Sequence, residues 1–163
     1  MDKKKIGFTC GAFDILHAGH ALMFEEAKEQ CDYLIVAVQS DPSIDRSSKS
    51  VPVQSYQERI TMVSAIKWVD EVRLYDTEEQ LHRLLKDINP NVRIVGADWK
   101  GRAFTGHDLD IEVYYNTRDH GYSSSSLRKR VYIAEQKQLI EKRRDFLTSS
   151  SVASLDIRDK FGK

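Results

Sequence analysis

The chain has 163 residues, 40% apolar and 31% charged, which suits one soluble globular domain with a hydrophobic core of its own. Lysine plus arginine equals aspartate plus glutamate at 25 each, so the zero formal charge gives no global pull toward nucleic acid or an anionic membrane. No apolar run approaches the ~18 residues of a spanning helix. The charged start MDKKKIGF has no long apolar segment behind it and does not read as a secretory signal. Cys10 and Cys31 lack CxxC spacing and read as reduced thiols of a cytoplasmic protein.

Strand-like and helix-like segments alternate along the chain. IGFTC (6–10) reads as a short buried strand, and residues 18–31 follow with Ala21, Phe24, Ala27 and Cys31 at near-helical spacing. YLIVAV (33–38) is a second apolar strand. SYQE (55–58) has the Ser-x-x-Glu form of a capping box, after which Ile60, Val63 and Ile66 recur on one face. EVRLY (71–75) is a third strand, and TEEQ (77–80) opens a helix whose apolar stripe is Leu81, Leu84, Leu85 and Ile88, ended by Asn89-Pro90. VRIVG (92–96) and IEVYY (111–115) are strands four and five. A last helix begins in the serine run at 123–126 and continues through Leu127 and Val131.

This alternation implies βαβ crossovers and a mostly parallel sheet. In such sheets ligands bind beyond the carboxyl ends of the strands. The segments after the strands carry His17, His20, Asp41, Arg46, Lys49, Asp98, Lys100, Arg102, His107, Arg118, His120 and four serines. Topology therefore gathers these polar groups at one rim.

The stretch FDILHAGH (13–20) places two histidines three apart, and three readings compete. The imidazoles could be satisfied by local hydrogen bonds. They could hold a metal, but two histidines at that spacing are an incomplete ligand set and the cysteines do not complete it. Or they could grip a phosphate. Gly11 permits a tight turn after the strand, Gly19 lets backbone approach a ligand, and the helix opening near residue 18 offers free N–H groups. Such donors suit phosphoryl transfer, where positioning and electrostatics dominate. The run GYSSSSLRKR (121–130) fits either a plain helix cap or a second phosphate contact, with Gly121 turning the chain in and Arg118 just upstream.

GAFDILHAGH resembles the GxFDxxHxGH signature of the cytidylyltransferase-like, or HxGH, nucleotidyltransferases. SYQERITMVSAIKWVDEV (55–72), VGADWKGR (95–102) and RDHGYSSSSLRKR (118–130) match further family segments in the same order. The likeness is nearest to the glycerol-3-phosphate cytidylyltransferases and covers residues 5 to 132. It implies a Rossmann-like, HUP-type α/β fold, with a parallel five-stranded sheet flanked by helices over residues 1–134; residues 135–163 have no counterpart in the likeness and read by themselves as a C-terminal helical extension. The implied reaction joins CMP from CTP to a small phosphorylated alcohol, with magnesium, and releases pyrophosphate in a cytoplasmic homodimer. An adenylyltransferase acting on a sugar phosphate is the nearest alternative, and a nucleotide-binding module without turnover is another.

The resemblance also implies roles for individual residues. His17 and His20 contact the triphosphate and stabilise the transition state, and Lys49 neutralises phosphate charge from a mobile loop. Cys10, Gly11, Ala12, Phe13, Asp14 and Gly19 shape the pocket. Asp41, Arg59, Asp70 and Asp98 support the site or the base. Arg118, Tyr122, Ser123, Ser124 and Ser125 hold the β- and γ-phosphates. The attacking phosphate oxygen is already ionised, so no general base is required. The acceptor half departs from the glycerol-3-phosphate pattern: Glu78 and Leu81 fall where that group has a tryptophan and a lysine, and Asp119 stands in place of a threonine. The tail from Glu135 begins as a charged helix that suits a solvated face or dimer packing, followed by a mobile end.

Overall fold

A computed structural model describes residues 4–160, with side chains described for residues 4–148. The chain divides into two compact units, Met1–Ser124 and Ser125–Lys163. The first unit is built from β1 (Ile6–Gly11), α1 (Ala18–Glu29), β2 (Tyr33–Gln39), α2 (Tyr56–Ser64), β3 (Glu71–Tyr75), α3 (Glu78–Ile88), β4 (Val92–Gly96), a short 3-10 turn (Ala97–Trp99) and β5 (Glu112–Asn116). The second is the helix α4, Ser124–Lys160, which opens at the last residue of the first unit. The helix begins in the serine run, as its pattern predicts, and runs unbroken through the region expected to be a mobile end. Its side chains from Arg128 to Thr148 are exposed.

All five strands are parallel, in the order β3-β2-β1-β4-β5. The chain builds outward from β1 to β3, then returns to lay β4 and β5 on the other side. The order therefore reverses between β1 and β4, where open α/β sheets bind ligands. The register shows that crevice. β1 pairs with β2 along its whole length, from Ile6↔Tyr33 to Gly11↔Val38. It pairs with β4 only at Gly7↔Val92 and Phe8↔Arg93. Beyond Phe8 and Arg93 the two strands part.

Alternation along the central strands sorts the apolar residues into two cores. Leu34, Val36 and Val38 face α1 and α2 and pack with Phe13, Phe24, Ala27 and Val63. Ile35 and Ala37 face α3 and pack with Phe8, Tyr75, Leu81 and Leu85. The capping box forms at α2: Ser55 Oγ accepts from the Glu58 N–H, and Glu58 Oε2 accepts from the Ser55 N–H at 2.7 Å. Asn89 ends α3 in the left-handed conformation (φ 47°), just before Pro90. Among the described residues no helix is long and apolar enough to cross a membrane.

Candidate active site

The loop between β1 and α1 turns differently from expectation. Gly11 ends the strand, and the left-handed positions are Phe13 and Ile15, both at φ 50°. A β-branched residue rarely adopts that conformation, so neighbours must hold it. Gln54 does so: its Oε1 accepts from the Ile15 N–H at 2.8 Å, and its own N–H donates to Asp14 Oδ1 at 3.0 Å. The Phe13 ring drops into the core against Phe24, with centroids 5.1 Å apart. Gly11 matters in a different way, since a Cβ there would press on that ring at 3.2 Å. Gly121 likewise is not among the glycines with positive φ, which are Gly101 and Gly106.

Arg59 supports the same loop from beneath. It is 1% exposed and donates to the carbonyls of Gln54 (3.1 Å), Ala12 (2.7 Å) and Gln39 (2.6 Å), and to that of Ser40. Each of these four hydrogen bonds is to backbone, so Arg59 joins the ends of β1 and β2 to the entry of α2.

The two histidines satisfy local hydrogen bonds and still present donors outward. His17 caps α1, its Nδ1 accepting from the Gly19 N–H at 3.1 Å. His20 Nδ1 accepts from the His17 N–H at 3.4 Å. Both Nδ1 atoms therefore carry lone pairs, and in the neutral rings the proton sits on Nε2. The rings stack with centroids 3.9 Å apart. His17 Nε2 lies 3.2 Å from Ser124 Oγ, and that hydroxyl donates to the Asp14 carbonyl at 3.2 Å.

Burial, then the neighbouring His17 and Arg118, pull the pKa of His20 down to about 4, against an opposing pull from Asp14. The pKa of His17 is lowered by burial, His120 and Arg118. Both imidazoles are thus neutral donors near pH 7.

His120 is a third imidazole that the motif did not mark. A Cβ at Gly19 would lie 2.7 Å from His120 Cε1 and 3.0 Å from His17 Cε1, so Gly19 is small to let two rings close over the helix start. His120 Nδ1 is buried without a hydrogen-bond partner. Tyr122 packs on it, with centroids 5.4 Å apart.

Two hollows meet these groups. A cleft of about 780 Å³ runs over the β1/β4 opening and is lined by Cys10, Gly11, Ala12, Phe13, His20, Lys49, Asp98 and Arg118 among others. A smaller hollow of about 170 Å³ is lined by His17, Gly19, His20, Arg118, His120, Tyr122, Ser123 and Ser124. His20 and Arg118 belong to both. Asp98 and Arg118 form an ion pair across the rim. Among the described residues no group of three His, Cys, Asp or Glu is arranged to hold a metal ion.

Asp41, Asp70 and Ser125 are not among the residues that line either hollow. Asp70 lies at the amino end of β2, where it accepts from the Leu34 N–H at 2.7 Å and pairs with Lys28 at 2.5 Å. That is the sheet end opposite the cleft, so its support is to the sheet. Asp41 caps a turn, accepting from the Ser43 N–H (2.9 Å) and Oγ (2.7 Å). Ser125 is the second residue of α4 and falls in the second unit. The motif reading also passed over Gln54 and Arg93. Arg93 is 5% exposed in an otherwise apolar strand, and that lone charge was the available signal.

A family model described as cytidylyltransferase-like matches residues 8–151. The chain is 38% identical over 130 residues to the bifunctional protein HldE of Campylobacter concisus, covering 79% of this chain and 27% of that protein. It is 38% identical over 129 residues to the HldE of Wolinella succinogenes, covering 78% and 27%. The chain thus spans about a quarter of the length of the curated relatives it matches. In fold it resembles a lipopolysaccharide core biosynthesis protein from Thermoplasma volcanium, with a TM-score of 0.62, 23% identity, and coverage of 72% of this chain and 100% of that one. It also resembles the pantoate-beta-alanine ligase of Francisella tularensis, with a TM-score of 0.52, 16% identity, and coverage of 74% and 62%.

Proposed function

The chain belongs to the cytidylyltransferase-like family of nucleotidyltransferases, and from that premise we propose that it moves AMP from ATP to the phosphate of a sugar phosphate and releases pyrophosphate. The observation that carries the transfer chemistry is the pair of neutral, stacked imidazoles at the start of α1, with Ser124 and Arg118 beside them. The preference for a sugar-phosphate adenylyltransferase rests on the relatives, which are HldE proteins at 35–39% identity.

In this reading the nucleoside lies in the larger cleft and its phosphates reach into the smaller hollow. An oxygen of the acceptor phosphate attacks the α-phosphorus, the new P–O bond forms in line, and the bond to the bridging oxygen breaks. The departing oxygen leaves with pyrophosphate, already ionised. His20 Nε2–H donates to the α-phosphate as charge grows there. His17 exchanges its Ser124 partner for a phosphate oxygen. Arg118 and Lys49 neutralise the leaving group, and the hydroxyls of Ser123 and Ser124 orient it. Preorganised donors of this kind cost no reorganisation at the moment of reaction. Magnesium would be held mainly by the phosphate oxygens, as is usual for that ion. A cytoplasmic setting and a homodimer belong to the same proposal.

A second reading, CMP transfer from CTP to a glycerol-3-phosphate-like alcohol, is favoured by the GAFDILHAGH, SYQER and serine-run motifs. The purified chain with magnesium, each nucleoside triphosphate and a panel of sugar and polyol phosphates separates the two by pyrophosphate release. ATP with a sugar phosphate is expected to turn over. CTP with glycerol 3-phosphate as the only productive pair would replace the first reading by the second. Tight triphosphate binding with no pyrophosphate from any pair would reduce the protein to a binding module.

A further inference from the structure

Arg93 sits at the last position where β1 and β4 are paired, on the floor of the larger cleft. It is 5% exposed, its guanidinium packs 5.1 Å from the Phe8 ring centroid, and Nη2 donates to Cys10 Sγ at 3.2 Å. Nε and Nη1 are buried and have no hydrogen-bond partner. Leaving two buried guanidinium nitrogens unsatisfied is costly, and the one bond to a thiol sulfur, a weak acceptor, gives the charge no strong acceptor of its own.

The acids lining this cleft are all engaged elsewhere. Glu78 pairs with Arg46 at 3.2 Å and accepts from Thr105, Asp108 pairs with His82 at 2.9 Å, and Asp98 pairs with Arg118. Among the described residues Arg93 has no acidic partner, so the protein keeps a buried positive charge for something that enters the cleft.

We propose that Arg93 anchors the phosphate group of the acceptor substrate, making it a specificity-determining residue of the acceptor half of the cleft. The proposal rests on the nucleotidyl-transfer reading for the identity of the ligand. It does not depend on which nucleotide is used. The distant side of the cleft, with Tyr75, Glu78 and Arg46, then surrounds the rest of the acceptor.

The test compares the wild-type full chain with Arg93→Met and Arg93→Lys, with circular dichroism and melting confirming the fold. Inorganic phosphate is titrated by calorimetry while the triphosphate site is filled with the α,β-methylene analogue of whichever nucleotide binds. Arg93→Met is expected to weaken phosphate at least ~10-fold, the scale of a lost charge-assisted hydrogen bond. The nucleotide analogue should change by less than ~3-fold, about half of the 1.4 kcal/mol that a tenfold change represents. Arg93→Lys should fall between. Should Arg93→Met not fold, Arg93→Lys carries the same comparison. Equal phosphate affinity in all three proteins, no phosphate binding to the nucleotide-filled wild type, or an equal loss of nucleotide affinity overturns the proposal. If no nucleotide binds the wild type, the transfer reading fails by itself. Phosphate is then titrated onto the bare protein, and Arg93→Met must still weaken it more than His17→Ala does, or the anchor is refuted.

Discussion

His17 Nε2 lies 3.2 Å from the hydroxyl of Ser124, which follows it by 107 residues. The same hydroxyl donates to the Asp14 carbonyl at 3.2 Å. One serine thus joins the start of α1 to the loop after β1, and it accepts the Nε2 proton that the Gly19 N–H, donating to Nδ1, already assigns to His17. Ser124→Ala removes this orientation without removing the imidazole. Turnover should fall roughly 10-fold, while His17→Ala and His20→Ala should each fall at least ~10²-fold, the scale of losing a preorganised donor. Steady-state pyrophosphate release measures all three. Unchanged turnover in both histidine variants would refute their assigned role, and a Ser124→Ala loss as large as that of His17→Ala would show that the serine's contact with the leaving group outweighs its hold on His17.

The acid behaviour of His20 provides a prediction free of any substrate. Its pKa is lowered to about 4 by burial first, then by His17 and Arg118, with Asp14 opposing and His120 adding a further downward pull. An unfolded imidazole titrates at about 6.5. Between those values the unfolded chain binds more protons than the folded one, so stability is fully present above the unfolded value and is lost as pH falls toward about 4. Proton resonances of the His20 ring, followed by NMR from neutral to acid pH, should stay at their neutral positions through the ordinary histidine range. A midpoint near the usual value would show an exposed, ordinary histidine and remove the neutral-donor argument. Occupancy of the site by triphosphate should raise the midpoint, because an anion favours the imidazolium.

Lys49 is exposed and lines the larger cleft on the segment between β2 and α2. A lysine so placed can reach a phosphate without being fixed in the free protein. Lys49→Ala is expected to lower kcat more than it raises KM for the triphosphate, because the charge it meets grows during bond breaking. If neither parameter moved, the segment would have no part in the chemistry.

Much of this was legible in the chain itself. The strand EVRLY is β3 residue for residue, and Ser55 with Glu58 forms the capping box that SYQE announces. Such features are local: a period of two, a period near four, or a cap three residues from its partner. The histidine pair and the serine run were found from their motifs, and topology accounts for their meeting. What the sequence hid depends on long-range closure. Nothing local shows that Gln54 would hold Ile15 in a left-handed turn, or that Gly19 would be small on account of His120. Asp70 entered through the resemblance, which carries no strand register. Only the register places it at the amino end, with Lys28 and Leu34.

Arg59 separates scaffold from chemistry most sharply. It donates hydrogen bonds to four carbonyls, those of Ala12, Gln39, Ser40 and Gln54, and it is 1% exposed. Arg59→Met keeps much of the volume and removes every donor, leaving buried carbonyls unpaired at a cost of roughly 3 kcal/mol. For a chain of this size the melting temperature should drop by about 6–12 °C. The loop bearing Phe13 and Asp14 would lose its support, so KM for the triphosphate should rise in the variant at a temperature where it is still folded. Asp70→Asn is the contrasting case. It loses the Lys28 ion pair at the far end of the sheet, so it should lower the melting temperature and leave kcat and KM at wild-type values. A kinetic defect in Asp70→Asn at full folding would return that residue to the site, and an Arg59→Met protein with wild-type melting would show that those four carbonyls do not need the guanidinium.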